Sequence, residues 1–194
     1  VSVIGDILDL AAVEAGQLVL ERETFDLHGM LVSALNLVGE RARRKNLHVN
    51  FDCPPDIGWM VADERRLKQV VFNLLSNAVT FTPERGTVGM EARRDGADIV
   101  LTISDTGVGI PTEERERVFM AFEKGSAGAK IEPAEGDAGV GLGLTIVKKY
   151  VEMHGGGVTV KSQSGRGTTI TCRMPAGQVG GGMGAGGADD AEDN

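Results

Sequence analysis

Apolar residues recur every three or four positions in four stretches of this 194-residue chain and alternate with polar residues in seven shorter stretches. The first pattern predicts helices over residues 1–15, 28–45, 64–81 and 142–154, the third of them capped by Asp63. The second pattern predicts strands over residues 24–27, 47–53, 59–62, 87–94, 97–105, 157–162 and 168–174. The Asp95-Gly96 pair predicts a hairpin between the fourth and fifth strands. Pro111, followed by two glutamates, predicts one further helix start.

The two ends of the chain differ from this folded pattern. The first helix has an apolar stripe from its first residue and no capping residue before it, which predicts the end of a longer helix, over residues 1–17. Residues 176–194 carry seven glycines and four acidic residues, a composition that predicts a disordered tail. Residues 125–139 lack periodicity and predict a mobile loop. We therefore expect one globular unit over residues 18–175.

Charge and composition exclude several classes of protein. The formal net charge is −8, of which the last 19 residues contribute −4, so the folded unit is only mildly acidic and unlike a nucleic-acid-binding surface. Two distant cysteines form no disulfide or zinc pattern, which favours a reducing, cytoplasmic setting. No apolar run reaches membrane-spanning length. The chain is therefore predicted to be soluble as it stands.

The helix over residues 64–81 has an apolar stripe that fixes its core side and a polar arc opposite. At about 100° per residue, the polar arc spans roughly 80°. It contains Arg66, Gln69, Asn73, Asn77 and Thr80. Two asparagines one turn apart offer hard oxygen ligands for Mg²⁺ beside phosphates. A solvated polar face explains the helix alone equally well.

Asp105 ends an apolar row on one face of its strand. A carboxylate facing a core needs hydrogen-bond donors, and the exocyclic amine of adenine is a suitable one. Gly107 and Gly109 would let the backbone pass close to a flat ligand. The alternative is an Asx turn that ends a hairpin strand.

Two glycine clusters follow. Gly139, Gly141 and Gly143 lead directly into a helix, whose free N–H groups and dipole attract anions, so this segment predicts a phosphate loop. The G-x-G-x-G spacing is not a dinucleotide fingerprint, and no Walker A sequence is present. The cluster over residues 165–168 is, by itself, better explained as a turn between strands.

Taken in order, these segments resemble the motifs of sensor histidine kinases. Residues 69–83 resemble the N box, residues 105–111 the G1 box, residues 119–122 the F box and residues 139–144 the G2 box, and residues 165–168 match the last glycine element. The resemblance covers residues 18–175, and residues 1–17 are similar to the end of the dimerisation and phosphoacceptor helix. It implies the Bergerat fold, a two-layer α/β sandwich in which helices cover one face of a mixed sheet.

The resemblance also implies roles for individual residues. Asp105 would accept from the adenine amine, Asn77 would ligate Mg²⁺, and the backbone of Gly139, Gly141, Leu142 and Gly143 would hold phosphates, with Gly107, Gly109 and Thr168 also at the nucleotide. Residues 125–139 would be the lid. ATPase relatives carry a glutamate base where this chain has Asn73, and an amide cannot take a proton from water. Asn73 therefore favours phosphoryl transfer over hydrolysis.

Two departures from the family pattern stand out. The family usually has a basic residue that contacts phosphates at position 80, where this chain has Thr80. Lys124 is a candidate to compensate for it. None of His28, His48 and His154 stands in the motif of the phosphoacceptor, and His154 is interpreted as a helix-end residue favourable to the helix dipole.

The expected function is therefore that of an ATP-binding catalytic domain, which transfers the γ-phosphoryl group of Mg-ATP to a histidine outside this sequence. The expected partners are a response regulator or phosphotransfer protein and a second copy joined through the dimerisation helices. Nucleic acid is excluded, and a membrane is expected only through other parts of a longer protein. The alternative is a degenerate, DivL-type kinase domain that signals as a binding module.

Overall fold

The computed structural model describes residues 3–121 and 141–177. Its four helices are α1 (Val3–Glu14), α2 (Leu27–Arg44), α3 (Glu64–Phe81) and α4 (Gly143–Met153). Its seven strands are β1 (Glu23–Asp26), β2 (His48–Asp52), β3 (Trp59–Ala62), β4 (Thr87–Asp95), β5 (Asp98–Asp105), β6 (Gly157–Gln163) and β7 (Gly167–Pro175). The predicted lid over residues 125–139 lies outside the described residues.

Five strands form the main sheet in the order β2-β4-β5-β7-β6. Strand β2 runs parallel to β4, and the other neighbours are antiparallel, so the sheet is mixed. Strands β1 and β3 form a separate antiparallel pair, which the sequence did not distinguish from the main sheet. The predicted α/β sandwich is confirmed.

The core lies between the sheet and the apolar faces of α2, α3 and α4. The stripe predicted for α3 is buried at every position, namely Leu67, Val70, Val71, Leu74, Leu75 and Ala78. These side chains join one cluster with Met90, Leu101 and Cys172 of the sheet. Both cysteines are buried free thiols, as the absence of a disulfide pattern predicted. Because α3 is fixed from one side, its opposite face is oriented for other contacts.

Two aspartates fix where α2 and α3 begin. The Asp63 side chain accepts a hydrogen bond from the N–H of Arg66, which confirms the predicted cap. Asp26 caps α2 in the same way through the N–H of Gly29. Because Asp26 caps α2, the helix begins at Leu27, one residue earlier than predicted. Leu27 was predicted to be the last residue of β1, which ends instead at Asp26.

Two further boundaries differ from the sequence-based expectation. The helix expected after Pro111 is two short 3₁₀ turns, Thr112–Glu114 and Arg117–Phe119, in which Val118 is the only buried residue. Without an apolar stripe, this segment has nothing to stabilise a longer helix. Ala176, placed in the expected tail, is buried and hydrogen-bonds through its backbone to Val61 and Ala97. No helix in the described ranges is long and apolar enough to cross a membrane.

His154 joins the end of α4 to the start of α3. Its Nδ1 lies 2.7 Å from the carbonyl oxygen of Tyr150, and its Nε2 accepts the backbone N–H of Asp63 at 3.1 Å. Because Nε2 is an acceptor, the ring is neutral and Nδ1 carries the proton. Burial lowers its pKa below the ordinary value. His154 does lie at the end of its helix, as predicted. The expectation that its positive charge interacts with the helix dipole is wrong, because the ring is neutral.

The neutral ring predicts a pH dependence of stability. The unfolded chain takes up the proton near pH 6.5, before the folded chain does, so the contribution of His154 is full above about pH 6.5 and is lost as the pH falls toward the folded pKa. Urea unfolding at pH 7.5 and pH 5.5 should show a lower free energy of unfolding at pH 5.5. His154→Gln should reduce this difference, and an undiminished difference in that variant would assign the effect to other groups.

Candidate functional site

The candidate site lies at the end of β5, where the polar arc of α3, the loop after Asp105 and the turn between β6 and β7 meet. Strand β5 is central in the sheet, and Asp105 pairs in register with Val88 on one side and Thr168 on the other. The sheet therefore brings Asp105 and Thr168, which the sequence places in separate motifs, side by side.

One oxygen of the Asp105 carboxylate is committed to the protein. Oδ1 accepts the backbone N–H of Gly107 at 2.8 Å and that of Thr168 at 3.2 Å. The first bond is an Asx turn, so the structural alternative raised by the sequence is present. The described residues donate no hydrogen bond to Oδ2, which leaves that oxygen to accept from a ligand. Burial raises the pKa of Asp105, and the two backbone hydrogen bonds oppose that rise.

The two glycines after Asp105 are required by the protein's own backbone. A Cβ on Gly107 would lie 2.5 Å from the carbonyl oxygen of Phe81. Gly109 has a φ of +68°, and a Cβ there would lie 2.0 Å from the carbonyl oxygen of Gln163. The sequence attributed both glycines to a flat ligand. Their packing against Phe81 and Gln163 is sufficient to explain them.

The turn between β6 and β7 is fastened to the loop after Asp105. The N–H of Gly165 donates to the carbonyl oxygen of Val108 at 2.7 Å, and the N–H of Ile110 donates to Oγ of Ser162 at 2.7 Å. Ser162 Oγ in turn donates to the carbonyl oxygen of Gly167 at 2.9 Å. The segment 165–168 is a turn, as its composition indicated, and it also fixes the position of the Asp105 carboxylate.

Sequence reasoning missed Ser162. It joins the two loops, and its Oγ also lies 2.9 Å from Oγ1 of Thr168. Nothing in an alternating strand pattern separates such a serine from one that faces solvent. Only the pairing of β6 with β7 shows the difference.

The polar arc of α3 is divided between two tasks. Arg66 donates to Asp9 of α1 and to the Tyr150 hydroxyl, and Gln69 donates to Asp6 of α1 at 2.8 Å. In the later part of the arc, Asn73 contacts Gly143 of α4 and Thr80 contacts Arg41 of α2, and neither these two residues nor Asn77 is fully exposed. The interpretation of the arc as a solvated face is therefore wrong.

Asn73 connects α3 to the start of α4. It is 8% exposed, and its Nδ2 donates to the carbonyl oxygen of Gly143 at 3.4 Å. A Cβ on Gly143 would lie 3.7 to 3.9 Å from the Asn73 side chain, in ordinary contact. A carboxylate at position 73 would face that carbonyl oxygen acceptor to acceptor, so an amide suits this position.

The start of α4 has no side-chain cap. Leu142 occupies the capping position and is buried, and no side chain hydrogen-bonds to the first turn in the described part of the chain. Gly141, with a φ of +81°, turns the backbone into the helix. The first N–H groups of α4 can therefore donate hydrogen bonds to an anion. Gly139 and Lys124, two other predicted site residues, lie outside the described residues.

Sequence reasoning also missed two basic side chains at the far end of the arc, Arg41 of α2 and Lys45, which caps α2. Arg41 donates through Nη1 to Ser76 Oγ at 3.0 Å and through Nη2 to Thr80 Oγ1 at 2.7 Å. Lys45 Nζ donates to the carbonyl oxygens of Val79 and Thr80 at 2.8 and 2.9 Å. Their i, i+4 spacing at the end of α2 was the available signal, since it places both on one side of the chain.

The described residues contain no cluster of three or more His, Cys, Asp or Glu side chains that could hold a metal ion. Mg²⁺ bound beside phosphates needs few protein ligands, because water and phosphate oxygens complete its octahedron. One amide oxygen from the half-buried Asn77 is compatible with that demand.

Comparisons with known proteins find related sequences and structures. A family model described as histidine kinase-, DNA gyrase B-, and HSP90-like ATPase matches residues 62–178. The chain is 37% identical over 174 residues to the circadian input-output histidine kinase CikA of Synechococcus elongatus, covering 89% of this chain and 22% of that protein. It is 35% identical over 180 residues to the sensor protein DivL of Caulobacter vibrioides, covering 93% and 22%. The chain thus spans about a fifth of the length of these relatives.

Among solved structures, full-length ShkA in complex with AMPPNP aligns with a TM-score of 0.72 at 30% identity, covering 89% of this chain and 35% of that one. A mycobacterial sensor histidine kinase, MprB, aligns with a TM-score of 0.66 at 31% identity, covering 79% of this chain and 97% of that one.

Proposed function

Since this chain belongs to the histidine kinase-, DNA gyrase B- and HSP90-like ATPase family, as the ATP-binding catalytic domain of a sensor histidine kinase, we propose that it transfers the γ-phosphoryl group of Mg-ATP to a histidine outside this sequence. The observation that carries the proposal is the half-committed carboxylate of Asp105. Oδ1 is held by two backbone N–H groups, and Oδ2 is left to accept the adenine amine.

Asp105 orients the base in this proposal. A carboxylate accepts but does not donate, so it selects a ring whose nearest edge carries an N–H donor. The amine of adenine meets that requirement, whereas the carbonyl at the same position of guanine would face the carboxylate acceptor to acceptor. Gly107, Gly109 and Thr168 shape the same edge, because the loop and the turn are fastened to each other next to the carboxylate.

The phosphates would lie between α3 and the start of α4. Asn77 would ligate the Mg²⁺ that bridges phosphate oxygens, and the N–H groups around Gly139, Gly141, Leu142 and Gly143 would bind the anion. That no side chain of the described residues caps α4 supports this arrangement. Lys124 would add a positive charge from the lid segment.

Asn73 distinguishes transfer from hydrolysis. An amide cannot act as a general base, so water in this site would lack a group to take its proton. The contact between Asn73 and Gly143 supports a role in holding the start of α4 beside the phosphates. The acceptor histidine would then be supplied by a helix of which α1 is the final part.

The proposed partners follow from the same scheme. Ile4 and Leu8 of α1 are 71% and 64% exposed, which supports a second helix covering them, as in a homodimer joined through dimerisation helices. A response regulator or phosphotransfer protein would receive the phosphoryl group next. The reaction uses ATP, so we place the domain in the cytoplasm, with any membrane attachment in other parts of a longer protein.

The second candidate function is a degenerate kinase domain that acts as a binding module. Thr80, which has no charge to offer a phosphate, is the observation that favours it. Sequence similarity does not choose between the two, because identity is 37% to a histidine kinase and 35% to the sensor protein DivL.

Calorimetric titration with Mg-ADP and a non-hydrolysable Mg-ATP analogue tests the proposal. Micromolar binding, followed by transfer of labelled phosphate from ATP to an added phosphoacceptor helix pair, is the expected result. Affinity weaker than millimolar in a well-folded sample would favour the binding module. Tight binding without transfer to any acceptor would favour it as well.

The metal ligand can be tested separately. Asn77→Ala should lower the affinity for ADP in the presence of Mg²⁺ by about 10-fold or more, because the amide oxygen proposed to hold the ion is lost. The variant should therefore no longer gain affinity when Mg²⁺ is added. Binding of ADP in the presence of a chelator should stay unchanged. Asn36→Ala, at an exposed position of α2, is the matched control and should keep the full Mg²⁺ effect. An equal Mg²⁺ effect in Asn77→Ala would place the ion elsewhere.

A further inference from the structure

We propose that Arg115 is a positioning residue of the nucleotide site, which holds the end of β6 so that the Thr168 N–H stays directed at the Asp105 carboxylate. Arg115 lies between the 3₁₀ turns Thr112–Glu114 and Arg117–Phe119, in a segment that contributes none of the candidate site residues. This inference rests on the proposed function, because it gives Arg115 a role in binding adenine through Asp105.

The guanidinium of Arg115 is fastened to the last part of β6. Its Nη2 donates a hydrogen bond to the carbonyl oxygen of Ser162, which lies 47 residues further along the chain. In the described part of the chain, β6 is an edge strand of the main sheet and pairs only with β7. Arg115 therefore gives the end of this edge strand an attachment in addition to its pairing with β7.

Two further contacts connect Ser162 to Asp105. The Oγ of Ser162 lies 2.9 Å from Oγ1 of Thr168, the residue with which Ser162 pairs in register. The N–H of Thr168 donates to Oδ1 of Asp105 at 3.2 Å. A displacement of Ser162 would therefore move the residue whose N–H helps to fix the carboxylate.

The hydrogen bond from Thr168 is the more sensitive of the two that Asp105 accepts. The N–H of Gly107 lies 2.8 Å from Oδ1, whereas that of Thr168 lies 3.2 Å away, at the long end of the usual range. Both N–H groups lower the pKa of Asp105, while burial raises it. A small shift of Thr168 would weaken its bond, free the carboxylate to rotate and raise the pKa further.

The buried Nε of Arg115 argues against a role in stability alone. This nitrogen is inaccessible to solvent and has no hydrogen-bond partner among the described residues. A buried donor without an acceptor destabilises the folded state, whereas an apolar side chain of similar volume would carry no such cost. Packing therefore does not explain an arginine at this position, and the contact of Nη2 with Ser162 is what the arginine provides.

Arg115→Met tests the proposal, because methionine keeps an apolar stem and removes the donor. The affinities for adenosine and for Mg-ADP should both fall by about 10-fold, since the adenine end of the site is affected. Arg115→Lys can still donate to the carbonyl oxygen of Ser162 and should keep most of both affinities. Arg93→Met removes an equal charge at an exposed residue that pairs with Glu91, and should change neither. A loss for Mg-ADP with unchanged adenosine affinity would overturn the proposal, because it would assign Arg115 to the phosphates.

Carbon-13 NMR of the Asp105 carboxyl gives a readout that a purely structural arginine would not move. Because N–H donors favour the charged carboxylate, a weaker bond from Thr168 should raise the pKa of Asp105 in Arg115→Met but not in Arg115→Lys. A lower melting temperature of Arg115→Met, with the pKa and the adenosine affinity of the folded protein unchanged, would overturn the proposal in favour of a structural role.

A double-mutant cycle tests the path through Ser162. Ser162→Ala removes the hydroxyl beside Thr168, so Arg115→Met should cost little further adenosine affinity in that background. Additive losses would overturn the path. Asp105-dependent binding of Mg-ADP that Arg115→Met does not alter would overturn this inference alone, whereas no binding by the unsubstituted chain would overturn the proposed function and this inference with it.

Discussion

Asp105→Asn should lower the affinity for Mg-ADP by about 100-fold or more and leave the fold intact. The proposed charge-assisted hydrogen bond from adenine is lost, and such a bond contributes about 1.5 to 3 kcal/mol. The geometry makes the loss larger. In the variant, the position of Oδ1 must hold the amide oxygen, because the N–H groups of Gly107 and Thr168 both donate to it. The amide NH₂ then occupies the position of Oδ2 and faces the adenine amine donor to donor.

The same geometry explains why the fold should survive. The amide oxygen of the variant continues to accept both backbone hydrogen bonds, so the loop after β5 stays attached to β7. Thermal unfolding should therefore differ little from that of the parent chain. Asp98→Asn, at the other end of β5, removes one exposed contact with Arg173 and serves as the matched control for the substitution. Unchanged nucleotide affinity in a folded Asp105→Asn sample would place the base elsewhere.

Gly167→Ala should lower the free energy of unfolding by about 3 kcal/mol or more, whereas Gly165→Ala should lower it by about 1 kcal/mol. Both glycines have positive φ, +92° and +75°, so both substitutions carry backbone strain. Only at Gly167 does the added Cβ collide, 1.9 Å from the carbonyl oxygen of Asp105. Nothing lies within 4 Å of a Cβ on Gly165.

The difference in the free energy of unfolding between the two glycine variants measures the cost of the collision between a Cβ at position 167 and the backbone of Asp105. Strand β7 must move away from Asp105 to admit the methyl group, and the hydrogen bond from Thr168 to the carboxylate should break with it. Nucleotide affinity should therefore fall in Gly167→Ala, measured on the folded fraction, and persist in Gly165→Ala. Equal destabilisation of the two variants in urea would mean that strain, rather than the collision, sets the cost.

The sequence predicted the elements well where a single period dominates. The buried stripe of α3 and the alternation in β5 follow directly from spacings of 3.6 and 2, because one face of each element is buried. Short segments were less well predicted. The 3₁₀ turns after Pro111 carry helix-start signals without an apolar face, so local propensity alone could not decide their length.

The motif residues of the candidate site could be predicted from the sequence, but the residues that hold them in place could not. Asp105 and Gly143 stand in recognisable patterns, whereas Ser162, Arg41 and His154 act through partners more than 30 residues away. No spacing rule reports such contacts. The division of the polar arc on α3 was hidden for the same reason, since it depends on where α1 packs.

The polar arc of α3 therefore has two separate contact regions along the helix. Arg66, which holds α1, and Asn77, the proposed metal ligand, are 11 residues apart, about 16 Å along the helix axis and on nearly the same side. The apolar stripe fixes α3 to the sheet between these two points. The contact with α1 and the proposed metal ligand therefore lie on one helix, about three turns apart.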